Sequence, residues 1–199
     1  MKTILSLFDY SGNWPSYYKH PQYSVYSLDI KNGVDILDIC PDDIPDRQVY
    51  GILAAPPCTD FASSGAQYWN AKDIDGRTEH SMNMVSKVLE LVEYFKPTFW
   101  CIENPVGRLS KLFPELGNPW YFNPYEFAGW CENTEQQEKE RYTKKTGLWG
   151  VFNKPEKKDL GNNPNNNWIM KLGGKSERTK ELRSMTPLGF AKAFYESNK

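Results

Sequence analysis

The stretch Gly51-Ile52-Leu53-Ala54-Ala55-Pro56-Pro57-Cys58 restricts this chain more than any other. Five consecutive small or apolar residues bounded by turn signals fit a strand buried on both faces, the pattern of a parallel sheet. Two prolines then remove backbone donors and fix φ, so the chain must leave the sheet at Pro56. Thr59 to Gly65 continues as a polar loop with no apolar periodicity. In open α/β sheets, ligands gather outside the carboxyl ends of the strands, so a cysteine just past such an end faces a pocket. A free cysteine most often packs as a small hydrophobe. Here the prolines and the polar loop point instead to Cys58 as a nucleophile.

Other segments repeat the theme of a strand ending in polar residues. Thr3 to Phe8 reads as a first strand that breaks into Asp9-Tyr10-Ser11-Gly12-Asn13-Trp14-Pro15. Such a turn brings backbone N–H groups to a cofactor, although its single glycine is no GxGxxG fingerprint and an ordinary turn is an equal reading. Tyr23 to Ile30 reads as a second strand closing on Asp29, a carboxylate placed to accept ribose hydroxyls or simply to meet solvent. Lys31-Asn32-Gly33 then leads into Val34 to Ile39, and Asn-Gly between alternating segments is a hairpin signal. Apolar residues Met84, Val85, Val88, Leu89, Leu91 and Val92 recur at helical spacing, predicting a helix from Ser81 to just before Pro97. Thr98 to Ile102 is another buried strand, and it delivers Glu103-Asn104-Pro105 to the sheet edge that carries Cys58.

Composition narrows the class. A chain of 199 residues with 39% hydrophobic content suits one globular domain with at most a small appended lobe. With 24 basic and 25 acidic residues, no global cationic field marks a nucleic-acid protein, so any such contact must come from local patches. The four cysteines show no CxxC spacing, and two histidines are too few for an evident zinc site. Reduced thiols and the absence of a signal-like or membrane-spanning amino terminus predict a soluble, cytoplasmic protein.

Taken together, Pro56-Pro57-Cys58, Phe8-Asp9-Tyr10-Ser11-Gly12 and Glu103-Asn104-Pro105 resemble the motifs of the DNA cytosine-C5 methyltransferase family, in the family's order, and most closely its short phage-type members. The resemblance implies a Rossmann-like α/β fold: a mainly parallel sheet with helices on both faces and a small reduced C-terminal lobe. It implies a catalytic core that binds S-adenosylmethionine (SAM) over residues 1–150, a reduced recognition-like insert over 151–182, and a closing helix over 183–199. Phe8, Asp9, Ser11, Gly12 and Trp14 would line the cofactor, with Asp29-Ile30 at the ribose, Asp38-Ile39 at the adenine (Asp35 competing) and Pro56 nearby. The family pattern also makes Val34 to Ile39 a parallel strand, against the hairpin reading, and we adopt the family's version. Cys58 would attack cytosine C6, and Glu103 with Asn104 would act at N3 and the 4-amino group. A tyrosine or phenylalanine in place of Cys58 would suit exocyclic amines; the cysteine argues for carbon.

Other features stay open. Gln67 to Arg77 lacks periodicity and reads as a mobile lid carrying Tyr68, Trp69, Lys72 and Arg77, or as a solvated loop. The charged run from Glu135 to Lys145 is a solvated face or a phosphate contact. The family's Gln-x-Arg-x-Arg is absent there, so Arg141 or Lys144 takes the role of the arginine at the target base. Asn162 to Asn167 reads as a loop, Lys171 to Lys175 with Arg178, Lys180 and Arg183 as the most basic stretch, and Arg183-Ser184-Met185-Thr186-Pro187 resembles the family's late Thr-Pro motif before a closing helix. A full recognition region and the late Gly-Asn motif are missing. The DNA partner is therefore single-stranded, loosely read, or presented by a partner protein. The alternatives are a catalytically silent DNA- or protein-binding phage regulator, or an enzyme on the same fold that modifies a pyrimidine nucleotide or RNA.

Overall fold

The computed structural model describes residues 1–161, 168–172 and 176–199. The Asn-rich segment 162–167 and the glycine pair at 173–174 therefore lie outside the described residues. In chain order the elements are β1 (Lys2–Leu7), β2 (Tyr23–Leu28), β3 (Val49–Ala54), α1 (Trp69–Ile74), α2 (Arg77–Phe95), β4 (Phe99–Pro105), α3 (Leu109–Leu112), β5 (Trp120–Phe122), α4 (Thr134–Glu140), β6 (Thr146–Val151), α5 (Trp168–Lys171), α6 (Glu177–Ser184) and α7 (Leu188–Ser197). Six strands form one sheet in the order β2-β1-β3-β4-β6-β5. The pairings β1 with β2, β1 with β3 and β3 with β4 are parallel, whereas β6 runs antiparallel to both β4 and β5.

Alternation along each strand divides the core into two layers. Leu5, Leu7, Ile52, Ala54 and Ile102 face α2, where Val85, Val88, Leu91 and Phe95 close the layer. Ile4, Leu53, Phe99, Cys101 and Leu148 face the other way and meet Trp14, Tyr18, Phe190, Ala193 and Phe194. Burying each large side chain of this kind contributes roughly 1.5–3 kcal/mol, so α2 and α7 hold the sheet from opposite faces. The Phe122 and Phe190 rings stack at 4.1 Å, tying α7 to the short edge strand β5. The expected sheet with helices on both faces is present.

Local polar chemistry overrides the strand pattern at two places. The second strand stops at Leu28, and Val34 to Ile39 forms neither the expected parallel strand nor a hairpin arm. The Asp29 carboxylate accepts the Lys31 N–H and the Asp35 carboxylate accepts the Leu37 N–H, and each starts a single tight helical turn. Such side-chain bonds offer the backbone an alternative to a ladder; Ile36 and Ile39 still reach the core. Gln67 to Arg77 is helical rather than a loop. It contains α1, and α2 begins at Arg77, four residues before the expected Ser81, just after Gly76 turns the chain at φ +83°.

Candidate active site

The site is built from the ends of β3 and β4. Ala54 pairs with Ile102 in register, so Glu103 sits level with Ala55, the residue that leads into the two prolines. The Asn104 side chain is fully buried and donates from Nδ2 to the Pro56 carbonyl at 3.0 Å, fixing the proline pair to β4. Its Oδ1 is buried with no hydrogen-bond partner. Two residues after Pro56, the Cys58 carbonyl accepts both the Phe61 and the Ala62 N–H, at 3.0 and 2.8 Å, so the backbone turns tightly just after the cysteine. A bridge between Ala62 and Gly107 joins this loop to the one after β4.

Electrostatics distinguish the two chemical groups. Cys58 reaches solvent, yet the protein packed around its thiol pushes the pKa up, and the Glu103 charge adds to this; Lys144 and Arg183 pull it down. Burial likewise raises the Glu103 carboxyl, with Lys144 opposing. A carboxyl whose pKa burial raises, placed beside a thiol, is suited to donate while the sulfur attacks. Lys144 acts on both groups, and its Nζ donates to the Arg183 carbonyl at 2.8 Å, which brings the start of β6 and the end of α6 over the site. Arg141 points elsewhere: its guanidinium meets Glu138 at 2.6 Å and the Gly161 carbonyl at 3.1 Å. Arg183 was missed as a site residue, although the Arg183 to Pro187 motif was its signal.

At the end of β1, Phe8 takes φ +59°, a left-handed conformation that is rare for a bulky residue and typical of functional turns. Asp9 is buried and organises the turn, accepting from the Ser6 hydroxyl at 3.0 Å, the Ser11 hydroxyl at 2.8 Å and the Gly12 N–H at 2.9 Å. Gly12, at φ +64°, completes it. Trp14, expected at the cofactor, is instead 1% exposed and packed on Phe190 and Phe194; the turn that follows Asn13 swings its indole into the core. Asn13 Nδ2 donates to the Thr186 carbonyl at 3.2 Å, joining this turn to the late Thr-Pro segment.

Beside it, Asp29 uses one carboxylate oxygen on Lys31 N–H at 2.8 Å, and Ile30 projects with 70% exposure. Of the competing carboxylates, Asp35 is used as a turn cap on Leu37 N–H at 3.0 Å, whereas Asp38 is exposed. The Ile39 side chain belongs to the core and its carbonyl accepts from Lys87. A cavity of about 90 Å³ borders Asn13, Glu140, Trp168 and Thr186. A second, of about 160 Å³, lies at the amino end of β4 among Tyr50, Thr98, Phe99 and Asn153, at the far end of the sheet from Cys58.

Comparison with known proteins places this geometry. No curated protein sequence matches the chain. Among solved structures it is similar to Entamoeba histolytica methyltransferase EhMeth (12% identity, TM-score 0.49, 90% of this chain and 62% of that one). A mutant form of Spodoptera frugiperda DNMT2 matches at 17% identity and TM-score 0.47, over 82% of this chain and 57% of that one. A candidate DNA modification methyltransferase encoded within an E. coli prophage matches at 16% identity and TM-score 0.45, over 76% of this chain and 47% of that one. The chain thus spans between about half and just over three-fifths of the length of these proteins. The family model of the C-5 cytosine-specific DNA methylase matches residues 10–112, just over half of the sequence and including Cys58 and Glu103. The chain belongs to the C-5 cytosine-specific DNA methylase family.

Proposed function

We propose that the chain transfers a methyl group from SAM to C5 of cytosine in DNA through a covalent bond between Cys58 and C6. The observation that carries this reading is the juxtaposition of Cys58 and Glu103 at neighbouring strand ends with Lys144 acting on both. Carbon 5 of cytosine is too weak a nucleophile to take a methyl group unaided. The Cys58 thiolate adds to C6 while Glu103, its pKa raised by burial, gives a proton to N3, so that C5 becomes enamine-like. The Lys144 charge stabilises the thiolate before the addition and the Glu103 carboxylate after it. Once C5 carries the methyl group, water takes the C5 proton, the electron pair of that C–H bond forms the C5–C6 double bond and expels the Cys58 sulfur as thiolate, and the N3 proton returns to the Glu103 carboxylate.

SAM supplies the electrophilic methyl group. The turn from Phe8 to Gly12 fits it: two residues with positive φ and an Asp9-organised loop leave backbone free to approach a ligand. Ser11 and Gly12 would hold its amino-acid end, Asp29 has a second carboxylate oxygen for the ribose, exposed Ile30 offers an apolar surface to the adenine, and Asp38 reaches its amino group. Asn104 orients Pro56 and with it the approach to Cys58. The base must leave any duplex to reach this cleft, at a cost of a few kcal/mol that single-stranded DNA does not incur. We read residues 1–150 as the catalytic core, 151–182 as a reduced recognition insert and 183–199 as the helix closing the core. With so little recognition surface, we propose loosely specific or single-stranded DNA as substrate, or recognition supplied by a partner protein.

The test is to incubate the protein with labelled SAM and, separately, duplex DNA, single-stranded DNA, RNA and free cytidine nucleotides, with Cys58→Ser alongside. The reading predicts label on cytosine C5 of DNA, absent in the variant. Label confined to RNA or nucleotides, or retained by the variant, contradicts it.

A further inference from the structure

The residues that follow Cys58 are held in an unusual way. Surface loops normally leave their carbonyls to water, yet here three successive carbonyls are engaged by the protein. Lys72, on α1, is only 6% exposed. Its ammonium donates to the Thr59 carbonyl at 2.6 Å and pairs with the Asp60 carboxylate at 2.8 Å. The same carboxylate, itself buried, accepts from Ser81 on α2 at 2.6 Å. From the opposite side Arg108 donates from Nε to the Asp60 carbonyl at 3.0 Å and from its backbone N–H to the Phe61 carbonyl at 2.9 Å. The Arg108 guanidinium also grips both Asp73 oxygens, at 2.9 and 2.7 Å, and lies over the Trp69 ring at 4.7 Å. Two cations thus join α1, α2 and the end of β4 to the residues beside the thiol.

A buried lysine is costly to desolvate and adds little to net stability. Its partners here are all in or next to the Cys58 loop. We propose that Lys72 is a positioning residue for Cys58: its ammonium clasps Thr59 and Asp60, so that α1 is a fixed brace for the nucleophile and not a lid over the base. The proposal rests on the reading of Cys58 as the nucleophile. Under it the base enters past a rigid loop, and the thiol is held in attacking geometry before substrate arrives. Misplacing a reacting group by about 1 Å costs on the order of 100-fold in rate.

The experiment compares wild type with Lys72→Met, measuring alkylation of Cys58 by iodoacetamide across pH by peptide mass spectrometry, with exposed Cys40 as internal reference. SAM affinity and the kcat and KM of methyl transfer are measured alongside. Releasing the clasp hydrates the thiol, so Cys58 alkylation in the variant is several-fold faster with a profile moved to lower pH, while Cys40 is unchanged. SAM affinity stays at the wild-type value, and kcat falls about 100-fold with KM for DNA nearly constant. A folded variant whose Cys58 alkylation and kcat match wild type overturns the proposal. Should Lys72→Met fail to fold because Asp60 is left as a lone buried charge, the double variant Lys72→Met with Asp60→Asn removes both charges, and the same alkylation criterion decides. The alkylation arm needs no turnover: absence of methyl transfer in wild type defeats the proposed function, while the response of Cys58 still judges Lys72.

Discussion

At the scale of single residues, the site is a coupled pair. Burial raises both Cys58 and Glu103, and the Glu103 charge raises Cys58 further. Under the proposed mechanism the reactive form holds one proton on Glu103 and none on the sulfur, so the expected rate is bell-shaped in pH: it rises as the pair loses its first proton and falls as it loses the second, with both limbs belonging to the pair, as a kcat/KM profile would show. Glu103→Gln removes the neighbouring charge, so a pH titration of Cys58 alkylation shifts to lower pH, while turnover falls by about 10²–10⁴-fold. Gly107→Ala probes the bridge beside the thiol: a Cβ there would stand 2.0 Å from the Phe61 carbonyl oxygen, a backbone atom. We expect a loss of about 1–3 kcal/mol in thermal or denaturant unfolding, together with reduced turnover. Cys58 and Glu103 were legible in the sequence because each follows an apolar run that ends in proline or polar residues. Lys144 was named in the sequence as an alternative to Arg141, and Arg183 only as part of the late motif, since only the fold shows which cations act on Cys58.

At the scale of elements, α1 and α7 carry the account. Asp60 is held below the usual carboxylate range: burial alone would raise it, but hydrogen bonds from Lys72 and Ser81 and the Lys72 charge outweigh that effect. Asp73 is lowered to about 2 by its bonds to Arg108 and Thr78. Groups with depressed folded values stabilise the native state above their unfolded value, here 3.8, and the contribution disappears as pH falls through the folded value. Hydrogen exchange between about pH 4 and 2 should therefore show α1 and the Cys58 loop losing protection before β1, β3 and β4. Glu140 caps α7 by accepting the Leu188 and Gly189 N–H groups at 2.6 and 2.8 Å. Glu140→Ala leaves those buried donors unpaired, with an expected loss of about 1–3 kcal/mol by calorimetry and weaker SAM binding, because Thr186, which anchors Asn13, lies just before this helix. The α2 and α7 periodicities were readable in advance. Helix α1 was not, because its one buried side chain is a lysine and its pattern carries no apolar stripe.

At the scale of the whole molecule, a sheet sealed by α2 and α7 sets its polar strand ends along one edge, and that edge is where the family's motifs fall. The chain is nearly neutral, and at that edge Lys144 meets the Arg183 carbonyl, with Lys145 next in sequence. If these three carry the phosphate contacts, the affinity for duplex DNA should fall with salt along a shallow logarithmic slope of about −3, which a titration of binding against salt concentration measures. The strands β1, β2, β3 and β4 were legible from apolar runs and their terminators; the helical turns at Asp29 and Asp35 were not, because short side-chain caps compete locally with ladders. The most direct measurement of the central claim uses single-stranded DNA bearing 5-fluorocytosine, incubated with SAM and wild type or Cys58→Ala and run on a denaturing gel. Fluorine cannot leave as a proton does, so the account predicts a DNA-shifted protein band in wild type alone and only with SAM present. An identical shift in the variant, or no shift in wild type under conditions where SAM binds, contradicts it.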